Sequence, residues 1–152
     1  MTGDERSRTY PTRPYLAVSA AIFRDGRVLI VRRARPPAHG LYTLPGGGVE
    51  LGETLEEAVI REVVEESEIV ARDPVFVASQ PWPFPASLML GFHAVSDGGE
   101  PRARDGELEE VRWVDRDTVR RALAGADAEF RLPPGVSIAR FLIERWAAGQ
   151  LP

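Results

Sequence analysis

A run of three glycines followed by a long acidic segment without glycine or proline is the feature that most limits how this chain folds. The glycines are Gly46 to Gly48, and the uninterrupted segment runs from Leu55 to Ser67. Thr54, with Glu57 three residues later, has the capping-box pattern, in which each residue satisfies a backbone N–H group at the start of a helix. The sequence therefore predicts a helix from Leu55 to about Ser67, entered from a loop whose backbone can approach a ligand or ion closely.

The remaining pattern predicts a mixed β-sheet with helices, an α+β fold. Asp25-Gly26 lies between two apolar runs, which is a strong signal for a β-hairpin. Strands that first pair antiparallel and are then interspersed with helices indicate a sheet covered by helices. We predict strands at Tyr15–Phe23, Val28–Val31, Val75–Gln80, Ser87–Val95 and Glu110–Val114, and further helices at about Thr118–Leu123 and Ser137–Ala147.

Three glutamates of the predicted helix occupy a face on which a helix selected only for stability would not place them. At about 100° per residue, Glu62, Glu65 and Glu66 share an arc of about 100° that overlaps the apolar positions. They also crowd the C-terminal end of the helix, where the helix dipole disfavours acidic groups by about 0.3–1 kcal/mol each. Oxygen ligands of this kind select hard divalent cations such as Mg²⁺, Mn²⁺ or Ca²⁺. The alternative is a solvated acidic helix face.

Charge and residue usage narrow the chemistry further. Residues 47–69 carry eight glutamates and one arginine, hence a net charge of −7, whereas the whole chain carries −4. The chain has no cysteine, and all 19 of its basic residues are arginine. These absences exclude disulfides, cysteine-ligated zinc, thiol nucleophiles, lysine Schiff bases and the lysine-containing P-loop.

The length of 152 residues fits one domain. Residues 1–13 are polar, and we predict that they form a flexible N-terminal arm before a single domain at residues 14–152. This first segment lacks the apolar core of a secretory signal, and no apolar run in the sequence is long enough to span a membrane. The cytoplasm is therefore the default localisation, with no membrane partner.

The spacing within the acidic segment adds a specific resemblance. Gly47, Glu53 and the run from Arg61 to Ile69 stand at the spacing of the Nudix box, the loop–helix–loop signature of nucleoside-diphosphate-X hydrolases. One position differs, because Glu68 replaces the glycine that normally ends the helix, and we expect this change to alter the helix C-cap. The resemblance implies an α/β/α sandwich with a mixed sheet. It also implies catalytic roles for Glu53, Arg61, Glu65 and Glu66.

A second pattern follows the box at Ser79–Ser87, where three prolines alternate with two aromatic residues. Proline fixes φ and makes a loop stiff, and the rings of Trp82 and Phe84 can sandwich a planar base. The alternative is a rigid turn whose aromatic side chains only pack. The stretch resembles the array that marks the NADH pyrophosphatase subfamily of the Nudix family. That resemblance implies substrate contacts from Gln80, Pro81, Trp82, Pro83, Phe84, Pro85, Ala86, Ser87 and Ala139.

The same resemblance implies a metal site and a reaction. The reaction is hydrolysis of the pyrophosphate of NADH or NAD⁺ to nicotinamide mononucleotide and AMP. Bacterial members of the subfamily usually carry an N-terminal domain and a four-cysteine zinc site, and we expect neither here, so no zinc is expected. The resemblance also suggests a homodimer. The implied ligands of Mg²⁺ or Mn²⁺ are the side chains of Glu62, Glu65, Glu66 and Glu107 with the backbone oxygen of Gly46.

Other interpretations stay open at this level. The chain could prefer ADP-ribose or another nucleoside-diphosphate substrate, or remove a NAD cap from RNA, although its net acidic charge offers no obvious RNA track. A catalytically silent nucleotide sensor is the alternative from another class, and the intact carboxylates argue against it. Arg32, Arg33 and Arg35 form a basic cluster that either faces substrate phosphates or belongs to a solvated loop.

Overall fold

The Asp25-Gly26 hairpin opens the sheet, as the sequence predicted. The computed structural model describes residues 12–36, 38–83, 86–104 and 106–151. Asp25 and Gly26 both have positive φ, 48° and 72°, and Arg24 pairs with Arg27 across the turn. Two central residues with positive φ give a turn whose twist matches that of the flanking strands.

In the described part of the chain, seven strands form one mixed sheet, and three helices accompany it. The strands are β1 (Tyr15–Arg24), β2 (Arg27–Arg33), β3 (Tyr42–Thr43), β4 (Gly46–Gly48), β5 (Ala71–Trp82), β6 (Ser87–Ser96) and β7 (Leu108–Asp115), and the helices are α1 (Leu55–Ser67), α2 (Arg116–Leu123) and α3 (Ile138–Ala147). Neighbouring strands follow the order β3-β2-β1-β6-β5, with β4 paired to β1 and β7 to β2. β1 and β6 run parallel, whereas the other pairs are antiparallel.

Two apolar cores lie on opposite faces of this sheet. Because successive side chains of a strand point to opposite faces, β1 serves both cores: Val18 and Ile22 contribute to one, and Ala21 and Phe23 to the other. The buried apolar residues of α1 belong to the first core, and those of α2 and α3 belong to the second. Helices on both faces make the α/β/α sandwich with a mixed sheet that the resemblance implied.

Helix α1 has the predicted N-cap and an unexpected C-cap. The Thr54 hydroxyl accepts a hydrogen bond from the Glu57 N–H at 3.1 Å, and the Glu57 carboxylate accepts one from the Thr54 N–H at 3.3 Å. At the other end, Glu68 is left-handed with φ 62°, and its N–H donates to the Val64 carbonyl at 2.9 Å. Glutamate thus adopts the left-handed conformation typical of a glycine C-cap, at a cost in strain.

The proline–aromatic stretch is only partly a loop. β5 continues as far as Trp82, and Pro81 pairs in register with Leu88 of β6. A strand tolerates proline here because β5 lies at the edge of the sheet, where one side of the strand needs no N–H donor. The structure thus corrects the prediction of one stiff loop from Ser79 to Ser87, since the turn begins only after Trp82.

Thr12 and Arg13 are the part of the predicted N-terminal arm, residues 1–13, that the structure describes, and both are exposed. The rest of that prediction falls outside the described residues. None of the described helices combines the length and apolar character needed to cross a membrane.

Candidate active site

β1 and β2 separate beyond their hairpin, and a cavity of about 350 Å³ opens at the separated ends. The two strands pair next to the turn, after which β1 pairs with β4 and β2 pairs with β3. The cavity has the size of an ordinary small-molecule pocket. Its lining includes Gly46 and Gly47 of β4, Glu66 of α1, Gln80 and Trp82 of β5, and Ala139 of α3.

The glycine strand β4 lies so close to β1 and α1 that side chains would not fit at two of its positions. A Cβ atom on Gly46 would lie 2.1 Å from the Val18 carbonyl oxygen. A Cβ atom on Gly47 would lie 2.5 Å from the carboxylate of Glu62, whereas one on Gly48 would meet open space. Gly46 is therefore required by its close approach to the backbone of β1, which only a residue without Cβ permits. A side chain at position 47 would instead have to displace the Glu62 carboxylate.

Arg61 links this glycine strand to the loop and to α1. Its Nε and Nη2 atoms donate to the two carboxylate oxygens of Glu53 at 2.9 and 2.7 Å, and Nη2 also donates to the Gly48 carbonyl at 2.9 Å. Its Nη1 atom donates to Glu62 at 3.0 Å and to Glu65 at 3.2 Å. One guanidinium thus connects three carboxylates and a backbone carbonyl from both halves of the predicted box.

The network shifts the pKa values of its carboxyl groups in opposite directions. Hydrogen bonds from Arg61 lower the pKa of Glu53 to about 2, and the Glu50 N–H acts in the same direction. Burial raises the pKa of Glu62, although the hydrogen bond from Arg61 opposes this shift. Glu53 is therefore held as an anion. An additional cation near Glu62 would stabilise the charged form of that carboxyl group.

The carboxylates of the implied metal site are each held differently. Glu65 is 56% exposed, and the Glu66 carboxylate accepts a hydrogen bond from the Gly46 N–H at 3.2 Å. Glu107 lies in the loop before β7, where its carbonyl accepts from the Ala34 N–H at 2.7 Å. Within residues 12–36, 38–83, 86–104 and 106–151, no three His, Cys, Asp or Glu side chains form a group that could hold a metal ion. The donor types fit a hard divalent cation, since all are oxygens, but the side chains do not converge.

Gln80 and Trp82 of β5 reach the same cavity as Glu66. The Gln80 amide nitrogen donates to the carbonyl of Val136, which leaves the amide oxygen buried without a hydrogen-bond partner. Ala139 reaches the cavity from the first turn of α3, a helix capped by the Ser137 hydroxyl. The cavity therefore joins the acidic end of α1 to an aromatic wall on β5.

The remaining residues predicted to contact substrate lie elsewhere or outside the described residues. Pro81 and Pro83 are exposed, and Ala86 and Ser87 are half-buried at the start of β6. These four do not belong to the described cavity lining. Phe84 and Pro85 fall outside the described residues.

Comparison with known protein families shows to which family the chain belongs. The model of the NUDIX domain matches residues 13–132. This chain belongs to the Nudix family.

Individual relatives of this Nudix domain are longer proteins. NAD-capped RNA hydrolase NudC of Mycobacterium bovis (strain BCG / Pasteur 1173P2) is 45% identical over 136 residues, which are 84% of this chain and 43% of NudC. NAD-capped RNA hydrolase NUDT12 of Homo sapiens is 37% identical over 139 residues, which are 91% of this chain and 30% of NUDT12. The chain thus spans less than half the length of these curated relatives.

The fold of the Nudix domain also matches solved structures. The crystal structure of MutT NUDIX hydrolase from Burkholderia pseudomallei aligns with a TM-score of 0.67 and 28% sequence identity, over 92% of this chain and 99% of that chain. This agreement is consistent with the mixed sheet and the two helical layers described above.

The structure adds cavity residues that the sequence patterns did not single out. Arg33 of the basic cluster lines the cavity. The sequence had left open whether this cluster faces substrate phosphates or belongs to a solvated loop. The other added residues come from strands, a loop and the first turn of α3, which only tertiary contacts bring together. They include Ser19, Thr43, Met89, Leu108, Pro133 and Ile138.

Proposed function

We propose that this Nudix domain hydrolyses the pyrophosphate bond of a nicotinamide–adenine dinucleotide, releasing nicotinamide mononucleotide and AMP. The observation that carries the proposal is that Glu66 and Gly46 line the same cavity as Gln80 and Trp82. An aromatic wall suits a planar base, because base–aromatic stacking is tolerant of the base. The acidic end of α1 suits a polyphosphate that is bound together with divalent cations.

The oxygen donors of the site support Mg²⁺ or Mn²⁺ as the cofactor. We propose the side chains of Glu62, Glu65, Glu66 and Glu107 and the Gly46 carbonyl as ligands. The carboxylates would have to turn toward a common point when the cation binds, because they do not converge in the structure described above. When bound, the cation would neutralise charge on the pyrophosphate and acidify the attacking water.

The side chains of this chain have separate roles in the proposed reaction. Water adds to one phosphorus, the bridging P–O bond breaks, and the bridging oxygen leaves with the other mononucleotide. Glu66 or Glu107 accepts the proton of the water. Arg61 and Glu53 keep β4 and α1 in register, and the Gln80 amide oxygen accepts a hydrogen bond from the substrate.

The names of the relatives extend the proposal to a larger substrate. NudC and NUDT12 are both called NAD-capped RNA hydrolases, and the bond that joins the two mononucleotides is the same in NAD⁺ and in a NAD cap. We therefore propose that the domain cleaves this bond in free NADH or NAD⁺ and in NAD-capped RNA. ADP-ribose carries the same pyrophosphate without the nicotinamide ring and is the alternative substrate.

A substrate panel tests the proposal. Purified protein with Mg²⁺ or Mn²⁺ is incubated with NADH, NAD⁺, ADP-ribose, diadenosine polyphosphates and NAD-capped RNA, and the products are identified by mass spectrometry. We expect AMP from both substrates, together with reduced nicotinamide mononucleotide from NADH and nicotinamide mononucleotide from NAD⁺, and no product when a chelator is added. Turnover of no nicotinamide substrate would reject the proposal, and binding without turnover would favour the nucleotide sensor.

We also propose that residues 14–152 act as one domain that forms a homodimer. The strands and helices from Tyr15 to Ala147 share one sheet and its two cores, which supports a single folding unit. The edge strand β5 exposes Val75 and Phe76, and exposed apolar edge residues favour an interface. Light scattering tests this assembly, since a mass equal to that of one 16.8 kDa chain would exclude the dimer.

A further inference from the structure

Arg33 ends β2 and lines the same cavity as Glu66, and one of its donors has no partner. Its Nε atom is buried and makes no hydrogen bond. A buried donor left without an acceptor costs free energy, which a bound acceptor would recover. Gln80 lines the same cavity, and its buried amide oxygen has no hydrogen-bond donor.

Arg32, Arg116 and Arg145 also have a buried Nε atom without a hydrogen-bond partner, but none of the three is in the described lining of the cavity. Its position in the cavity is therefore what distinguishes Arg33. Arg32 points away from the cavity, with Nε 2.9 Å from the Glu109 carboxylate and its guanidinium over the Tyr42 ring. The ladder between β2 and β7 shifts register between Arg32 and Arg33, and such irregularities redirect side chains. The ion pairs among the described residues use Arg32 but not Arg33.

Arg33 and Glu66 are the only charged side chains in the described lining of the cavity. In the sheet, Arg33 lies on β2 and Trp82 on β5, with β1 and β6 between them. A substrate whose base lies against Trp82 would therefore direct its polyphosphate past Gly46 and Glu66 toward Arg33. The planar guanidinium matches phosphate oxygens in geometry as well as in charge.

We propose that Arg33 binds a phosphoryl oxygen of the substrate's pyrophosphate through its buried Nε and an adjacent Nη atom. This role rests on the proposed function and adds a cationic binding residue to its carboxylate site. The three arginines of the basic cluster thus have different surroundings: Arg33 reaches the cavity, Arg32 pairs with Glu109, and Arg35 is exposed.

Substitution of Arg33 tests the assignment with a matched control on the same strand. Arg33→Gln removes the charge and the paired donors, Arg33→Lys keeps the charge alone, and Arg27→Gln makes the same charge change at the exposed far end of β2. We expect kcat/KM for NADH to fall at least about tenfold in Arg33→Gln, because charge-assisted hydrogen bonds are among the strong ones. Arg33→Lys should restore part of this loss, and Arg27→Gln should behave as the wild-type protein.

Two further measurements separate phosphate binding from a structural role. The decline of kcat/KM with added salt should become shallower in Arg33→Gln, since one ionic contact is lost. Adenosine has no phosphate, so its inhibition constant as a competitive inhibitor should be the same for Arg33→Gln as for the wild-type protein. An unchanged kcat/KM in Arg33→Gln, or an equal loss of adenosine inhibition, would overturn the role of Arg33. Failure of the wild-type protein to hydrolyse any dinucleotide would instead reject the proposed function, and the role of Arg33 with it.

Discussion

Arg61 binds Glu53 through two hydrogen bonds, from Nε and Nη2 to the two carboxylate oxygens at 2.9 and 2.7 Å. The two side chains are 22% and 13% exposed, so the pair is largely shielded from solvent. Bidentate pairs of this kind fix geometry in addition to supplying energy. The same guanidinium holds Gly48 and Glu62, and the position of the glycine strand against α1 therefore depends on the shape of the arginine.

Replacement of Arg61 by lysine should impair both stability and activity. An ammonium group cannot donate to both oxygens of Glu53 and also to Gly48 and Glu62 in this geometry. We expect the free energy of unfolding to fall by about 1–2 kcal/mol and kcat/KM to fall at least about tenfold. Denaturant titration and steady-state kinetics measure the two effects.

Arg72→Lys is the control for this substitution, because the Arg72–Asp97 pair is exposed at 53% and 84%. Exposed pairs contribute little, so this variant should resemble the wild-type protein. If Arg61→Lys and Arg72→Lys gave the same free energy of unfolding and the same kcat/KM, the positive charge of Arg61 alone would be sufficient for its role, and its hydrogen-bond geometry would not be needed.

The lowered pKa of Glu53 predicts a pH dependence of stability. Its pKa falls from 4.5 to about 2 in the folded protein because of the hydrogen bonds from Arg61. A lowered carboxyl pKa stabilises the folded state above the unfolded-state pKa, and this contribution is lost as pH falls through the folded-state pKa. The wild-type protein should therefore lose stability between about pH 4.5 and about pH 2 through this group. Denaturant titrations across that range should show a weaker pH dependence in Glu53→Gln, and identical pH profiles would contradict the assignment.

Gly47→Ala should reduce activity far more than Gly48→Ala. The added Cβ at position 47 would lie 2.5 Å from the carboxylate of Glu62, whereas position 48 has no neighbour within 4 Å. The first change must displace Glu62, a proposed metal ligand, and we expect kcat/KM to fall at least about tenfold. Comparable kinetics in the two alanine variants would mean that the position of Glu62 does not limit catalysis.

Glu68→Gly should stabilise the domain. Glu68 holds φ 62° at the end of α1, and a non-glycine residue in the left-handed region costs about 1–2 kcal/mol. The ion pair lost with Arg104, at 3.5 Å between half-exposed side chains, contributes little. We expect a net gain of about 1 kcal/mol in the free energy of unfolding after the higher unfolded-chain entropy of glycine is included.

Glu68→Ala is the matched comparison, because alanine removes the carboxylate and keeps the Cβ that causes the strain. Its stability should not rise. A gain in the alanine variant equal to that in the glycine variant would place the effect in the charge of Glu68 instead of its backbone.

Glu66→Gln should lower turnover without unfolding the protein. The amide oxygen of glutamine can still accept the hydrogen bond that the Gly46 N–H donates at 3.2 Å, but glutamine is a poor metal ligand and no base. We expect kcat to fall about 100-fold or more. Glu56→Gln, at an exposed position in the first turn of the same helix, should retain activity, and near-normal turnover in Glu66→Gln would remove Glu66 from the proposed reaction.

Local features of this chain were predictable because neighbouring residues determine them. The capping box of Thr54 and Glu57, the Asp25-Gly26 turn and the period of α1 each depend on contacts within a few residues. The strand at Pro81 was not predictable in the same way, because a proline is compatible with a strand only at a sheet edge, and the order of the strands decides which one is the edge.

By itself, the sequence determined five of the seven described strands, the three described helices and the acidic face of α1, since these follow from local periodicity and spacing. It did not predict the short strands β3 and β4, because the glycine run was interpreted as a loop. Tertiary structure alone decided that the separated ends of β1 and β2 create a cavity, that Glu66 and Trp82 line it together, and that Arg33 enters it while Arg32 does not. The physical reason is that these outcomes depend on packing between residues far apart in the chain, which no local pattern encodes.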